Sequence, residues 1–453
     1  METESSYKSH YKYIFAFFYL IEGFVQGIPM LVFPAYLAKL LGNKFDIAIW
    51  LMILALSYIP WSIKIIVGFA NDKWGSRKYG RRFPWIVSFG IYCGIWWIIM
   101  AIYLPVNESI YLTLGIYYFM IALGMAFADT ALDGLILDTV PKEKLGKIQG
   151  FTWTCLLLGM GAGGMLLGLI FLALDIIPIL FALTGVLVII ACLLTRLIKE
   201  PPLKKVELKD IGQNIKSLIT KKKNWKVYGN SFMGAMAGVL IGNFFGFLIL
   251  INIGIIDVDQ TILSIKSGNP VELLGWASLF NVITGIGIVI GSITAGKLAD
   301  KGRRKTITRI YCIYIPLCII SVIPFLILGE FLFALIYGLI VLLIFGVVQG
   351  ALVITTQTIN GDIAKNEYPD LKSSFYALMI SWWNGGQALS LLLGAFIFIY
   401  FANYTTDFFI LYFLISLFGA LALFMSYLCF RAIDPSDYEF EHALGEEKEV
   451  SFT

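Results

Sequence analysis

Four ionisable side chains interrupt the long apolar segments in the first third of the sequence: Glu22, Lys64, Asp129 and Asp133. An ionisable group at membrane depth costs roughly 2.5 to 3.5 kcal/mol on insertion scales, so it usually faces a cavity or a partner of opposite charge. Two carboxyl groups on one helical face can hold a single proton between them, because like charges in a dry environment repel. The chemistry indicated is the binding and release of a proton or another small cation.

The acids are spaced for such a role. Asp129 and Asp133 are four residues apart and share a helical face, and Glu22 and Gln26 have the same spacing near the start of the chain. We interpret Glu22, Asp129 and Asp133 as candidates for cation coupling, with H⁺ or Na⁺ as the coupling ion and no cofactor. Lys64 either forms a structural ion pair with one of these aspartates or attracts an anionic solute, and the sequence leaves both open.

The second half of the chain offers neutral polar side chains in place of buried charges. Amides beside indoles suit a neutral or ring-bearing solute through hydrogen bonding and stacking, and they serve equally well in contacts between helices. The candidates for solute binding are Gln26, Lys64, Asn243, Asn281, Gln357, Trp383, Asn384 and Gln387. We predict that coupling belongs to the first half and that solute selection is shared with the second.

Apolar helices must position these residues. Hydrophobic residues make up 59% of the 453 residues, charged residues make up 14%, and the mean hydropathy is +0.82, which excludes an ordinary soluble protein. Because about 20 apolar residues cross a bilayer, we predict an all-α polytopic membrane protein with twelve transmembrane helices. Both histidines lie outside the apolar segments, and we find no phosphate loop, metal-ligand cluster or nucleophile motif, so an enzyme is not expected.

The predicted helices fall into two bundles. Residues 1–198 form the first six-helix bundle and 226–431 the second, with a lysine-rich linker at 199–225 between them and an acidic tail at 432–453. Val206, Ile211 and Ile215 have an approximate helical spacing, which predicts an amphipathic surface helix in the linker. We expect the acidic tail to be disordered.

The distribution of lysine and arginine predicts the orientation. Nearly all basic residues fall in the termini, the linker and alternate loops, while Lys39, Lys44 and Lys266 fall on the other face. This bias predicts that both termini are cytoplasmic, in a plasma membrane. It also explains the net charge of +4, which gives no reason to expect a nucleic-acid partner. The expected partners are a small-molecule solute and the lipid bilayer, and we expect a monomer.

A charged sequence occurs twice, about half a chain apart. GFANDKWGSRKYGRR begins at Gly68 and GKLADKGRRK begins at Gly296, each between apolar segments. The glycines would let helices approach closely, and the aspartates could meet an arginine or a helix N-terminus when the cytoplasmic side is closed. The alternative is that the basic residues only hold the loop inside. The predicted cytoplasmic gate comprises Gly68, Asp72, Arg77, Arg81, Arg82, Asp138, Gly296, Asp300, Arg303 and Arg304.

The duplicated loop resembles a signature of the major facilitator superfamily. The matching residues are Gly68, Asp72, Lys73, Gly75, Arg77 and Lys78, with a repeat at Gly296, Asp300, Lys301, Gly302, Arg303, Arg304 and Lys305. The resemblance covers essentially the whole chain and implies two pseudo-symmetric six-helix bundles and secondary active transport by alternating access. Proton-coupled symport of a small organic solute, either anionic or ring-bearing, is the function that we expect. A membrane sensor, a lipid scramblase or an interaction subunit on the same fold is the alternative.

A narrower resemblance covers the predicted spans 2 to 4, which are residues 46–70, 84–104 and 110–140. The strings Pro60-Trp61-Ser62-Ile63-Lys64, Gly80-Arg81-Arg82 and Asp129-Thr-Ala-Leu-Asp133-Gly134 are similar to those of the branch that holds folate-biopterin carriers, muropeptide permeases and acetyl-CoA carriers. In span 5, Gly159-Met-Gly161-Ala-Gly163-Gly164 matches a dinucleotide-binding pattern, but no strand precedes it. We interpret it as a surface for close helix packing.

Overall fold

A computed structural model describes residues 7–76, 78–107, 109–140, 142–200, 216, 218–259, 262–265, 270–299, 301–326, 331–368, 372–402 and 408–439. The chain divides into two compact units. Unit 1 comprises residues 1–213 with 268–278, and unit 2 comprises 214–267 with 279–453.

The regular elements in the described part of unit 1 are helices, apart from an isolated antiparallel bridge between Ser76 and Gly80. Its elements are α1 (Tyr11–Leu41), α2 (Ile47–Ser62), α3 (Lys64–Lys73), α4 (Phe83–Ile102), α5 (Ile110–Thr139), α6 (Lys142–Gly159), a π-helical segment (Met160–Leu167), α7 (Gly168–Ala173) and α8 (Ile177–Leu194), with short 3-10 turns at Gly42–Lys44 and Thr195–Leu197. Helix α1 packs against α6 and the π-helical segment, α4 packs against α5 and α8, and α2 packs against α5.

The predicted second span, residues 46 to 70, is interrupted. Helix α2 contains Pro60, which lacks the N–H that a regular helix needs, and Ile63 has φ −97° and ψ 4°, outside the helical region. A new helix, α3, begins at Lys64. The interruption therefore places the one ammonium group of this span in the first turn of a helix.

The fifth span approaches α1 without intervening side chains. A Cβ atom on Gly23 would collide with the carbonyl oxygen of Leu156, and one on Gly159 would collide with that of Leu20. The hydrogen bond from Gly168 N–H to Gly163 O spans five residues and belongs to the π-helical segment. Two backbones in contact fix the position of α1, which carries the first of the buried acids.

An aromatic cluster forms the centre of unit 1 away from these acids. The ring of Phe33 on α1 lies 5.5 Å from Trp50 of α2 and 5.5 Å from Phe181 of α8, and it also contacts Trp97 and Tyr118. All five residues are buried. Edge-to-face contacts of this kind stabilise the packing beyond the area that they bury, so four helices are held around α1.

Unit 2 repeats the helical order and adds one hairpin. Its elements are α9 (Lys222–Asn252), β1 (Ile256–Asp259), β2 (Ile262–Ile265), α10 (Pro270–Ala299, in unit 2 from residue 279), α11 (Arg303–Ile320), α12 (Phe331–Glu367), α13 (Lys372–Ala402) and α14 (Phe408–Arg431), with 3-10 turns at Ile323–Leu326 and Pro435–Asp437. Helix α9 packs against α12, α13 and α14, and α11 packs against α12 and α14. The strands are antiparallel, with Ile256 opposite Ile265.

The prediction of a polytopic helical membrane protein is confirmed, and the described exceptions to its helical content are the hairpin of unit 2 and the bridge between Ser76 and Gly80. Among the described residues, eleven segments are long and apolar enough to cross a membrane. Helix α13, the predicted eleventh span, is a helix of 31 residues, but it is not among them. Its residues 385–402 are predominantly apolar, and the side chains of the last five of them lie outside the described residues. The predicted linker helix and the tail beyond residue 439 lie outside the described residues, except for the linker residues 216 and 218–225.

Candidate functional site

A buried ionic cluster lies inside unit 1 and consists of Glu22, Lys64, Asp129 and Asp133. Lys64 Nζ donates to Asp129 Oδ2 at 3.1 Å, and both residues are at most 5% exposed. Lys64 Nζ also lies 5.8 Å from the centre of the Trp61 ring. The sequence left open which aspartate pairs with Lys64. The structure pairs Lys64 with Asp129, and this ion pair joins α3 to α5.

Asp133 has a different donor. Tyr19 of α1 donates its phenolic O–H to Asp133 Oδ1 at 2.5 Å, a distance typical of a hydroxyl that bonds to a carboxylate. Asp133 is half-buried, so it is less dehydrated than Asp129. Tyr19 was not among the residues selected from the sequence, although it precedes Glu22 by three residues and therefore shares its helical face.

Glu22 is the acid with the weakest set of partners. It is 3% exposed, and its Oε1 accepts a hydrogen bond of 2.9 Å from the amide of Gln26, one turn later on α1. Its Oε2 is buried and has no hydrogen-bond partner among the described residues. Glu22 is nevertheless close enough to Lys64, Asp129 and Asp133 to interact with each electrostatically. The cluster thus sets three carboxyl groups against one ammonium group.

The interior of unit 2 uses neutral hydrogen bonds. Asn230 of α9 donates to the hydroxyl of Tyr311 at 2.8 Å and to the carbonyl oxygen of Ser426 at 3.1 Å, which joins α9 to α11 and α14. Asn360 of α12 donates to the hydroxyl of Ser231 at 3.1 Å. These groups are buried and bond to one another across helices, although Asn360 Oδ1 has no hydrogen-bond partner among the described residues.

The predicted solute-binding residues occupy varied positions. Gln26 is half-buried and bonded to Glu22, Lys64 is in the ion pair, Asn281 is exposed on α10, and the side chain of Asn243 lies outside the described residues. Gln357 of α12 and three residues of α13 are half-buried; the three are Trp383, Asn384 and Gln387. Gln357 Oε1 is buried without a partner among the described residues. A half-buried amide with a free acceptor can receive a hydrogen bond from a solute.

At the end of unit 1 that carries the charged loop, two arginines share one acid. Asp138 Oδ2, at the end of α5, accepts from Arg81 Nη2 at 2.6 Å and from Arg82 Nε at 2.9 Å. Arg82 Nη1 also donates to Asn71 of α3. The guanidinium group passes over Gly134, where a Cβ atom would lie 2.6 Å from its central carbon. This network ties together α3, the start of α4 and the end of α5.

A carboxylate from the end of unit 1 caps α4. Glu200 accepts hydrogen bonds from the backbone N–H groups of Arg81, Arg82 and Phe83 at 2.6, 2.9 and 2.8 Å. Helix N-termini have unsatisfied N–H groups and a positive dipole end, so a carboxylate stabilises them. The approach requires Gly80, which has φ +92° and whose Cβ would lie about 2.5 Å from the Glu200 carboxyl carbon.

Unit 2 has the same arrangement at its charged loop. Arg303 Nε pairs with Asp362 Oδ2 of α12 at 3.1 Å. Glu439, beyond α14, accepts from the backbone N–H groups of Arg303 and Arg304 at 3.1 and 2.7 Å and so caps α11. Gly302 differs from Gly80, because its backbone is extended with φ 170° and a Cβ would meet nothing within 4 Å.

Several residues of the predicted cytoplasmic gate lie outside the described residues or make contacts that differ from those expected. Arg77 and Asp300 lie outside the described residues, as does the side chain of Asp72. Gly68 faces Thr130, whose Cγ2 would lie 3.6 Å from an added Cβ, so α3 and α5 are in ordinary contact there. Gly296 has no heavy atom within 4 Å of an added Cβ, so it does not mediate the close helix approach that was expected.

The sequence did not indicate four residues that bond to the charged loops, which are Glu200, Glu439, Asp362 and Asn71. Glu200 and Glu439 follow the last helix of each unit, and Asp362 lies near the end of α12 as Asp138 does in α5. Comparing the two halves position by position would have identified Asp362. The capping acids are separated from their partners by more than 100 residues, so no local pattern indicates them.

Comparison with known proteins gives the same fold. The sequence profile of the Major Facilitator Superfamily matches residues 15–379. A bacterial homologue of the human lysosomal transporter Spinster, in an inward-facing and occupied conformation, aligns at 13% identity with a TM-score of 0.65, over 97% of this chain and 100% of that chain. A mutant of the nucleoside transporter NupG aligns at 16% identity with a TM-score of 0.64, over 92% of this chain and 99% of that one. No curated protein matches the sequence.

Proposed function

The chain belongs to the major facilitator superfamily and is a membrane transporter rather than an enzyme. We propose that it is a proton-coupled symporter of a small organic solute and that it works by alternating access. The observation that carries the proposal is the buried ionic cluster of unit 1. Lys64 and Asp129 compensate each other, which leaves the charge of Glu22 and Asp133 unbalanced if both ionise. Uptake of protons relieves that excess.

The charged loops support the conformational part of the proposal. Each loop is attached to its own unit by an arginine–aspartate pair and by a capping carboxylate. Such contacts make the loop end of each unit stiff, as a rigid-body movement of either unit requires. We assign Arg81, Arg82, Arg303 and Arg304, with Asp138, to the cytoplasmic gate, together with the predicted residues of the loops that are not described.

The nature of the solute is argued from the neutral groups of unit 2 and from Lys64. Gln357, Asn384 and Gln387 offer amide groups, and Trp383 offers a flat apolar face, a combination that suits a ring-bearing solute. Lys64 would favour an anionic one. Nucleosides are the first class to test, because one structure of the same fold is that of a nucleoside transporter. Pterins and aromatic carboxylates follow, because spans 2 to 4 resemble the folate-biopterin branch.

The test is transport by purified protein in proteoliposomes that contain a pH-sensitive dye. Nucleosides, pterins, aromatic carboxylates and disaccharides are added in turn under a proton gradient, a sodium gradient or no gradient. We expect one class to accumulate only with the proton gradient and to alkalinise the medium. Asp129→Asn and Asp133→Asn should each reduce this accumulation, and Cys312→Ser, which changes an exposed thiol on α11, is the matched control.

Three results would contradict the proposal. Accumulation with full pH dependence in both aspartate variants and in Glu22→Gln would remove the cluster from coupling. Accumulation driven by a sodium gradient alone would show that Na⁺, and not the proton, is the coupling ion. Movement of fluorescent lipid between leaflets without any ion gradient, and without solute transport, would identify a scramblase on the same fold.

A further inference from the structure

The three acids of the ionic cluster are not equivalent in their hydrogen bonds. Asp129 accepts from the ammonium group of Lys64, and Asp133 accepts from the phenol of Tyr19. Glu22 accepts only from the neutral amide of Gln26 among the described residues, and its second oxygen is buried without a donor. An ionised carboxylate has about four acceptor positions and pays a large desolvation cost when they stay empty. Glu22 is therefore the acid least suited to a fixed negative charge.

The groups around Glu22 also disfavour a fixed negative charge on it. The titratable groups that interact with it electrostatically are Lys64 of α3, Asp129 and Asp133 of α5, and Tyr19 of its own helix. Its own helix contributes Gln26 one turn away, while α6 contributes backbone, because Gly23 lies against the carbonyl oxygen of Leu156. Lys64 is already engaged at 3.1 Å by Asp129. One ammonium group therefore cannot neutralise a second and a third carboxylate beside it.

We propose that Glu22 carries the transported proton on Oε2, while Asp129 stays ionised as the partner of Lys64 and Asp133 stays bonded to Tyr19. The inference rests on the proton coupling of the proposed function and assigns it to one atom. On release, the O–H bond at Oε2 breaks, its electron pair stays on the oxygen, and the proton passes to water. The carboxylate then competes with Asp129 for Lys64, which links protonation to the contact between α3 and α5.

Infrared spectroscopy tests the assignment without a solute. The probe is the proton itself: reconstituted protein is titrated in H₂O and in D₂O, and the carbonyl stretch of a protonated carboxylic acid is followed in difference spectra. We expect the full-length protein to show a carboxylic acid band at neutral pH that shifts in D₂O. Glu22→Gln should abolish it, because the amide has the shape of the protonated acid but cannot ionise, and Glu22→Asp should restore a band.

Asp175→Asn is the matched control, because it removes an exposed acid between α7 and α8 and leaves the buried ionic cluster unchanged. It should retain the band. Helix content and thermal unfolding of each variant show that the fold is intact. Absence of the band from the unsubstituted protein, or its survival in Glu22→Gln, would overturn the assignment.

Transport measurements distinguish a failure of the Glu22 assignment from a failure of the proposed function. With the solute class that the proteoliposome test identifies, Glu22→Gln should keep solute counterflow, which needs no net proton movement. Its accumulation of solute under a pH gradient should fall to the level of protein-free vesicles. If the unsubstituted protein moves solute without protons, the proposed function fails. If it moves both and Glu22→Gln still accumulates solute under a pH gradient, the function stands and the assignment of Glu22 is wrong.

Discussion

The two units resemble each other at their charged loops and differ in their interiors. In both, an arginine of the loop pairs with an aspartate of a neighbouring helix, and a distant glutamate caps the helix that follows. Inside, unit 1 buries a Lys64–Asp129 ion pair among further acids, whereas unit 2 uses Asn230 and Asn360. Away from its charged loop, the described part of unit 2 thus joins the same order of helices through neutral groups. The buried charges of unit 1 are therefore not a requirement of the architecture.

Lys64→Met should give the largest loss of stability, because it leaves the buried carboxylate of Asp129 without its partner. We expect the free energy of unfolding to fall by about 3 to 5 kcal/mol, measured by denaturant unfolding of the purified protein in detergent. Asn230→Leu in unit 2 should cost about 1 kcal/mol, as is usual for hydrogen bonds between membrane helices.

The double variant Lys64→Met with Asp129→Leu is the control, since it removes both charges. It should recover most of the stability that Lys64→Met loses. Equal losses of unfolding free energy in Lys64→Met and Asn230→Leu would show that the charged interior of unit 1 and the neutral interior of unit 2 do not differ in their contribution to stability.

The loop glycines offer a second comparison. Gly80→Ala places a Cβ against the Glu200 carboxyl group on a backbone with φ +92°, so we expect a loss of about 1 to 3 kcal/mol. Gly302→Ala, at the matching position of unit 2, has an extended backbone and open space and should change stability by less than about 0.5 kcal/mol. Thermal unfolding of the two variants measures both effects, and equal losses would show that the loops are not held differently.

The capping glutamates give the smallest expected difference. Glu200→Ala removes the acceptor of three backbone N–H groups and Glu439→Ala removes that of two, so both should lose about 0.5 to 2 kcal/mol, with the greater loss in unit 1. Hydrogen exchange at residues 81–83 and 303–304 locates the effect. Faster exchange is expected only at the N-terminus of the helix whose cap was removed, and faster exchange at both would contradict independent capping.

The sequence was sufficient for the class of protein, for most of the spans and for the buried ionisable residues of unit 1. Hydropathy determines these features, because a charge inside an apolar segment is conspicuous whatever the fold. The pairing of Lys64 with Asp129 rather than Asp133 was not predictable, since the two aspartates share a face of α5 and the choice depends on where α3 crosses it.

Interactions between distant segments account for the rest. Tyr19 bonds to a residue 114 positions away, and the caps formed by Glu200 and Glu439 depend on where the last helix of each unit ends. The interruption at Ile63 and the hairpin at Ile256–Ile265 depend on backbone geometry that hydropathy does not encode. Even Pro60 predicts a disturbance of the helix without giving its position.

The π-helical segment of span 5 has a consequence for the length of the chain. Gly159, Gly164 and Gly168 all face α1, at intervals of five and four residues, and a regular α-helix with 3.6 residues per turn would carry them progressively off that face. Deleting one residue between Gly159 and Gly168 would shorten one of these intervals and remove the extra residue that the π-helical turn accommodates. Span 5 is therefore constrained both in its number of residues and, at its glycines, in residue type, because an added Cβ at Gly159 would collide with the carbonyl oxygen of Leu20.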